Sequence, residues 1–129
     1  EKRVQIVEKT FASKARIRVY TLGKYGSWIA HGEEQSLGTI TKIPIIPVEV
    51  KNRTGAGDTF AAGFIAKLSE KIAGKNDLLK LTESNTQVLL KSCAQYATAA
   101  AALKVSTGDA PNRGELKKFQ KNHFTKINK

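Results

Sequence analysis

The stretch KNRTGAGDTF, residues 51–60, joins two segments with different periodicity. Before it, residues 43–50 read IPIIPVEV, a β-branched run that favours an extended backbone, although its prolines restrict it to an edge or bent strand. After it, apolar residues recur at helical spacing, at Phe60, Phe64, Ile65, Leu68 and Ile72. We therefore predict a strand, then a glycine turn, then a helix that begins near Ala56 and ends near Gly74.

The segment between this strand and this helix has little side-chain bulk. Gly55, Ala56 and Gly57 let backbone N–H groups approach a ligand closely. The first N–H groups of a helix have no internal acceptor, and the helix dipole makes that end positive. The turn therefore suits a phosphate or a developing oxyanion. Asp58 follows in the first turn of the helix, where a carboxylate also complements the dipole.

Two common glycine-rich motifs do not fit this turn. A P-loop needs Lys-Ser/Thr after its last glycine, and none follows Gly57. A dinucleotide-binding fingerprint needs a third glycine where Phe60 stands. Residues 54–64, TGAGDTFAAGF, instead resemble the C-terminal signature of the ribokinase-like (PfkB) carbohydrate and nucleoside kinases. The chain departs from that signature at Asn52, where aspartate is usual, and at Arg53, where a small residue is usual.

A second glycine turn strengthens the resemblance. TLGKYG, residues 21–26, follows a predicted strand at residues 17–22. Most such turns bind nothing, but a similar turn in the kinase family wraps the ATP phosphates. The alanine-rich stretch AAAALKVSTG, residues 99–108, also resembles the end of the family's last long helix, with a loop expected over residues 105–112. We call residues 21–26 the TLG turn and residues 54–58 the GAGD turn.

The resemblance implies an α/β fold. We expect the C-terminal part of a ribokinase-like domain, in which a few strands, including a hairpin of residues 27–31 and 37–40, are packed by helices. Residues 1–129 are interpreted as a single domain or a fragment that carries the nucleotide-binding part of the kinase. Both glycine turns follow predicted strands, and ligands of open α/β sheets bind beyond the carboxyl ends of strands.

The implied reaction is ATP-dependent phosphoryl transfer to a sugar hydroxyl, by a cytoplasmic carbohydrate kinase that uses ATP and Mg²⁺. By resemblance Asp58 is the catalytic base, and the backbone of Gly55, Ala56 and Gly57 stabilises the transferred phosphate. The implied nucleotide-binding residues are Thr21, Gly23, Lys24, Tyr25, Gly26, Gly57, Asp58 and Thr98. The family's magnesium-organising and sugar-binding residues are expected outside this sequence. Two alternatives stay open: a nucleoside kinase of the same fold, and a non-catalytic basic binding module.

Many ribokinase-like enzymes are activated by a monovalent cation. By position, the resemblance places that site at Asn52, Thr54, Lys104, Thr107, Gly108 and Asn112. Asn52 removes a full negative charge from it, while Arg53 and Lys104 add positive charges. Repulsion between unit charges a few Å apart is about 4 kcal/mol at an effective dielectric of 20. We therefore expect K⁺ to bind weakly or not at all, with a protein cation in its electrostatic role; alternatively, backbone carbonyls suffice.

The bulk composition indicates the class of protein. A hydrophobic content of 40% favours a globular chain, and the net charge of +11 comes mostly from lysines spread along the sequence. Nucleic-acid grooves interleave arginine with aromatic residues, unlike the scattered lysines of this sequence, so we expect no nucleic-acid partner. We also expect no membrane partner. The expected partners are ATP, a small sugar or nucleoside, and the N-terminal remainder of the kinase or a second chain. A homodimer stays an open alternative.

The cysteine and histidine content carries less information. The single cysteine excludes an intramolecular disulfide, which fits a reducing compartment. We expect Cys93 to be a core residue within a helix rather than a catalytic residue. We expect His31 on the surface near the hairpin tip. His31, Cys93 and His123 are too far apart in the sequence to show the ligand spacing of a zinc site.

Overall fold

The computed structural model describes residues 17–32, 39–72, 74, 77 and 83–127. Its elements in chain order are β1 (Ile17–Thr21), a 3₁₀ turn (Gly23–Tyr25), β2 (Ser27–His31), β3 (Thr39–Ile43), α1 (Ala56–Lys71), α2 (Glu83–Thr107) and α3 (Arg113–Ile127). The predicted α/β class is confirmed, as a small sheet packed by helices. None of the helices in the described ranges is long and apolar enough to cross a lipid bilayer.

The sheet is antiparallel, with β2 between β1 and β3. The predicted hairpin is present, but its second strand is β3 rather than residues 37–40, of which 37 and 38 lie outside the described residues. The expectation of an exposed His31 is wrong, because this residue pairs with Ile17 on one side and Thr39 on the other and is 5% exposed. Its place at the end of the central strand buries it.

The sheet ends at Ile43, so the strand predicted over residues 43–50 does not form. Pro44 and Pro47 have no N–H group to donate to a neighbouring strand. The segment instead reaches α2, where the N–H groups of Lys51 and Asn52 donate to the Val105 carbonyl O at 2.8 and 3.1 Å. These two bonds fix the chain just before the GAGD turn.

Helix α1 begins at Ala56, as the sequence predicts, after Gly55 in a left-handed conformation with φ 82°. Phe60 and Phe64 face the core with their ring centroids 6.4 Å apart, and Leu68 packs one turn further along. Ile65 was predicted on the same face but is 62% exposed. The buried stripe therefore follows an i, i+4 row of the helix and excludes the next position.

The core lies between the sheet and helices α1 and α2. Its buried members are Ile29, Ile43, Phe60, Phe64, Leu90, Cys93, Ala94 and Ala97. Cys93 has no exposed surface, and its burial raises the pKa of the thiol, which fits the predicted core role. Helices α1 and α2 cross closely at Gly63, where an added Cβ would lie 3.3 Å from Cα of Ala97. The alanines of α2 permit this approach, as the sequence indicates.

Replacing Gly63 with leucine is expected to destabilise the fold by about 1–3 kcal/mol, because the side chain would force α1 away from α2. Ala66→Leu is the matched control, since Ala66 is exposed on the same helix. Urea unfolding of both variants measures the difference. Equal midpoints for the two variants would contradict the close crossing.

The end of α2 and the start of α3 are defined by two caps. Helix α2 runs to Thr107, so the loop predicted over residues 105–112 begins only at Gly108, whose φ of 87° ends the helix. The Gly108 N–H donates to the Lys104 carbonyl O at 2.8 Å, a left-handed C-cap. Asn112 and Glu115 form a capping box at α3: the Glu115 N–H donates to Asn112 Oδ1 at 2.9 Å, and the Asn112 N–H to Glu115 Oε1 at 3.2 Å.

Candidate functional site

The described residues border a half-open cavity of about 600 Å³ at the end of the sheet where β1 and β2 are joined. Both glycine turns reach it, although they lie far apart in the sequence. Its lining residues are Thr21, Gly23, Lys24, Gly26, Ser27, Ile45, Ile46, Pro47, Val48, Val50, Arg53, Ala56, Gly57, Phe60, Thr98, Ala101, Ala102 and Val105. Most of them are apolar; the polar side chains are those of Thr21 and Lys24 in the TLG turn and of Ser27, Arg53 and Thr98.

The TLG turn is a tight, hydrogen-bonded loop. The Leu22 N–H donates to the Gly26 carbonyl O at 2.8 Å, and the Gly26 N–H donates to the Gly23 carbonyl O at 3.1 Å. Gly26 has φ 84°, and a Cβ at this position would lie 2.0 Å from the Ile43 carbonyl O, so only glycine fits. Tyr25 is 53% exposed and does not line the cavity, unlike its neighbour Lys24.

The GAGD turn presents the start of α1 to the cavity. The Ala56 N–H donates to the Arg53 carbonyl O at 3.3 Å, and the Thr59 N–H donates to the Gly55 carbonyl O at 2.9 Å. Between them, the N–H groups of Gly57 and Asp58 belong to the first helical turn and have no intrahelical acceptor. A Cβ on Gly57 would meet nothing within 4 Å. This part of the turn is therefore open to a ligand.

The structure places Asp58 immediately after a cavity-lining residue but not in the lining itself. Asp58 is exposed in the first turn of α1, so its carboxylate is accessible to a substrate hydroxyl. Gly55 also stays outside the lining, whereas Ala56 and Gly57 belong to it. Of the four residues assigned to catalysis by resemblance, two line the cavity and two flank it.

The cavity wall opposite the turns is formed by helix α2. Thr98 lies there with Ala101, Ala102 and Val105, and its hydroxyl donates to the Ala94 carbonyl O at 2.6 Å. Because its hydroxyl proton is used in that bond, Thr98 contributes mainly van der Waals surface to the cavity wall. The small side chains of this helix leave room for a flat ring system.

Sequence reasoning missed the contribution of residues 45–48 and Val50, which line the cavity instead of pairing in the sheet. It also missed Ser27, which is 2% exposed and whose Oγ has no hydrogen-bond partner among the described residues. The two prolines of the 43–50 run were the available signal, because a run that cannot pair must pack elsewhere.

The residues of the predicted cation site come together only in part. Lys104 Nζ donates to the Gly108 carbonyl O at 2.5 Å. Asn52 Oδ1 accepts from the Thr54 N–H at 2.9 Å, and Thr107 Oγ1 donates to the Leu103 carbonyl O at 2.7 Å. Asn112 caps α3 instead. Within the described ranges, no group of three or more His, Cys, Asp or Glu side chains is placed to hold a metal ion.

Comparison with known proteins yields one family and several solved structures. The family model described as pfkB family carbohydrate kinase matches residues 1–114. Among curated protein sequences no match is found.

The structural relatives are sugar and nucleoside kinases. Fructokinase from Vibrio cholerae O395 is 21% identical over 92% of this chain and 34% of its own; its TM-scores are 0.64 with fructose, ADP and calcium ion bound and 0.62 for a double mutant with fructose, ADP and potassium ion. Ribokinase from Thermotoga maritima is 27% identical over 84% of this chain and 31% of its own, with a TM-score of 0.59.

Aminoimidazole riboside kinase from Salmonella enterica, complexed with aminoimidazole riboside and an ATP analog, is 24% identical over 81% of this chain and 31% of its own, with a TM-score of 0.57. The chain therefore spans about a third of the length of these structural relatives. The fructokinase and the aminoimidazole riboside kinase are each less than 25% identical to this chain, so their likeness shows the shared fold alone.

Proposed function

The chain belongs to the pfkB family of carbohydrate kinases, and from this premise we propose that the complete protein transfers a phosphoryl group from ATP to a hydroxyl of a small sugar. One observation carries the proposal: the TLG turn and the GAGD turn line the same 600 Å³ cavity. A ligand that fills the cavity contacts both turns at once. ATP suits it, because it has an anionic end and a flat, largely apolar end.

The charges and N–H groups around the cavity favour the phosphates. Lys24 and Arg53 are cations in its lining, and the open N–H groups of Gly57 and Asp58 add donors at the positive end of α1. The alanine wall of α2 near Thr98 offers a surface for adenine. Mg²⁺ would be carried by the phosphates, because this ion keeps several waters and binds through few protein ligands. Its protein ligands are expected outside the described residues.

Asp58 supplies the base in this proposal. The sugar hydroxyl oxygen attacks the γ-phosphorus of ATP and forms a new P–O bond, while the bond from that phosphorus to the bridging oxygen of ADP breaks. The hydroxyl proton passes to the Asp58 carboxylate. Charge that builds on the transferred phosphate is stabilised by the N–H groups at the start of α1. The products are the sugar phosphate and ADP.

The substrate class is tested by measuring ADP release from the complete protein with a panel of hexoses, pentoses and ribonucleosides. Sugar-dependent ADP release is expected, in keeping with the fructokinase and ribokinase relatives. Activity with nucleosides alone would favour the second candidate, which the likeness to aminoimidazole riboside kinase keeps open. ATP binding without turnover on any acceptor would indicate a non-catalytic module and overturn the proposal.

A second test concerns the cavity. Gly57→Val is expected to weaken ATP binding about tenfold or more, since its branched side chain would enter the open space in front of the helix start. The unfolding midpoint should stay close to wild type, because nothing lies within 4 Å of that position. Ala61→Val, on an exposed part of α1, is the matched control. Titration calorimetry with ATP compares them, and equal affinities would place the nucleotide elsewhere.

A further inference from the structure

We propose that the ammonium group of Lys104 is a built-in cation that takes the place of potassium beside the GAGD turn. This inference rests on the proposed kinase function and deepens it, because it assigns Lys104 as a positioning residue for the nucleotide site. Potassium ion is present in one of the related fructokinase structures. In this chain, oxygen atoms at the positions that the sequence resemblance assigns to such a site already take part in hydrogen bonds within the protein.

The donor atoms at the matching positions do not fit a metal ion. A potassium ion requires several free oxygen ligands. Here the Gly108 carbonyl O accepts from Lys104 Nζ at 2.5 Å, and Asn52 Oδ1 accepts from the Thr54 N–H at 2.9 Å. Thr107 Oγ1 contacts the carbonyl O of Leu103 at 2.7 Å and that of Asp109 at 3.1 Å. An additional cation would compete with the Lys104 ammonium for the Gly108 carbonyl O and with the Thr54 N–H for Asn52 Oδ1, and it would meet the Lys104 charge.

The side chain of Lys104 also reaches the GAGD turn. A Cβ added at Gly55 would lie 3.4 Å from Cε of Lys104, so the lysine stem passes directly beside this glycine. Gly55 immediately precedes α1, whose first N–H groups face the cavity. One side chain thus contacts the loop after α2 through its ammonium and the turn before α1 through its methylene groups.

The location stabilises the positive charge of Lys104. Lys104 lies in the last turn of α2, where the helix dipole is negative and carbonyl groups lack intrahelical donors. Its own carbonyl O accepts from the Gly108 N–H at 2.8 Å, and its ammonium returns to the Gly108 carbonyl O. This pair of bonds closes the start of the loop on the helix end. The cation is therefore a fixed part of the helix terminus rather than an ion drawn from solution.

The first experiment requires no variant. The complete wild-type protein is titrated with KCl against tetramethylammonium chloride at constant ionic strength, and both the thermal unfolding midpoint and the kinase rate are recorded. We expect the thermal unfolding midpoint to be the same in both salts and the kinase rate to change less than about twofold. This change is well below tenfold, which corresponds to about 1.4 kcal/mol. A saturable rise of either quantity at millimolar K⁺ would overturn the inference.

The second experiment separates charge from packing. Lys104→Met keeps most of the stem and removes the cation, and it should raise the KM for ATP about tenfold, with a smaller effect on kcat. Lys104→Arg keeps the charge and should restore the KM to within a few-fold of wild type. Lys117→Met, on an exposed position of α3, is the matched control. An ATP KM for Lys104→Met equal to that of the control would overturn the inference.

The two proposals fail in different ways. Kinase activity that depends strongly on K⁺ would reject the role of Lys104 and leave the kinase assignment intact. Absence of kinase activity would reject the assignment, while an unfolding midpoint indifferent to K⁺ would still support the built-in cation. If Lys104→Met does not fold, the wild-type titration and the Lys104→Arg variant decide the matter.

Discussion

Replacing Asp58 with asparagine is expected to lower the kcat for phosphoryl transfer in the complete protein by ~10²–10⁴, the typical contribution of a general base. The affinity for ATP should change little, because the N–H groups of Gly57 and residue 58 belong to the backbone and survive the substitution. Asparagine has almost the shape of aspartate but cannot accept the hydroxyl proton. Steady-state kinetics and ATP titration calorimetry on the same preparation separate the two effects.

The control for this prediction is Glu49→Gln, which removes one carboxylate charge from an exposed residue outside the cavity lining. If the rate loss came from a change in overall charge, both variants would show it. A kcat for Asp58→Asn within a few-fold of the control would exclude Asp58 as the base.

Replacing Gly26 with alanine is expected to destabilise the fold by at least about 3 kcal/mol. The added Cβ would lie 2.0 Å from the Ile43 carbonyl O, and a backbone atom cannot move aside as a side chain can. The φ of 84° adds conformational strain for any residue with a Cβ. Because Ile43 ends β3 and belongs to the core, relief of the clash would disturb the sheet.

Gly23→Ala in the same turn is the matched control. Its φ of 57° carries a similar strain, about 1–2 kcal/mol, but a Cβ there would meet nothing within 4 Å. Urea denaturation should therefore show a large loss for Gly26→Ala and a small one for Gly23→Ala. Similar midpoints for the two variants would mean that the turn does not pack against the end of β3.

The parts of the fold that follow from local sequence were predictable. Helix α1 begins at Ala56, directly after Gly55, and its Phe60–Phe64–Leu68 row is visible in the spacing. The alanines of α2 indicated a close helix crossing, which Gly63 completes from the other side. The start of α1 and its apolar row depend on neighbours within a few residues, so single-sequence periodicity contains them.

Two features of the fold did not follow from periodicity and propensity. His31 is buried because it ends the central strand, between Ile17 on one side and Thr39 on the other. The end of α2 was misplaced because Val105, Ser106 and Thr107 are weak helix formers, yet the cap at Gly108 keeps them helical.

The candidate site divides in the same way. The two glycine turns were identified from short motifs, but their convergence on one cavity with residues 45–48 and Val50 is a tertiary result. Tyr25 was assigned to the nucleotide because it lies within the TLG turn; it is 53% exposed and outside the cavity lining, and its contact with a nucleotide stays a prediction. A motif defines which backbone segment approaches a ligand, and the packing of that segment decides which of its side chains follow.

The carbonyl O of Val105 has a mechanical consequence for the site. It accepts from two successive N–H groups, those of Lys51 and Asn52, and so joins the α2 wall of the cavity to the approach to the GAGD turn. Under the proposed function these are the surfaces offered to the adenine and to the phosphates, and the shared acceptor couples their positions. A nucleotide bound there would then order little additional chain, which would leave more of its contact energy as affinity. We therefore expect any closure that brings an acceptor hydroxyl to the γ-phosphate to come from parts of the complete protein other than these two segments.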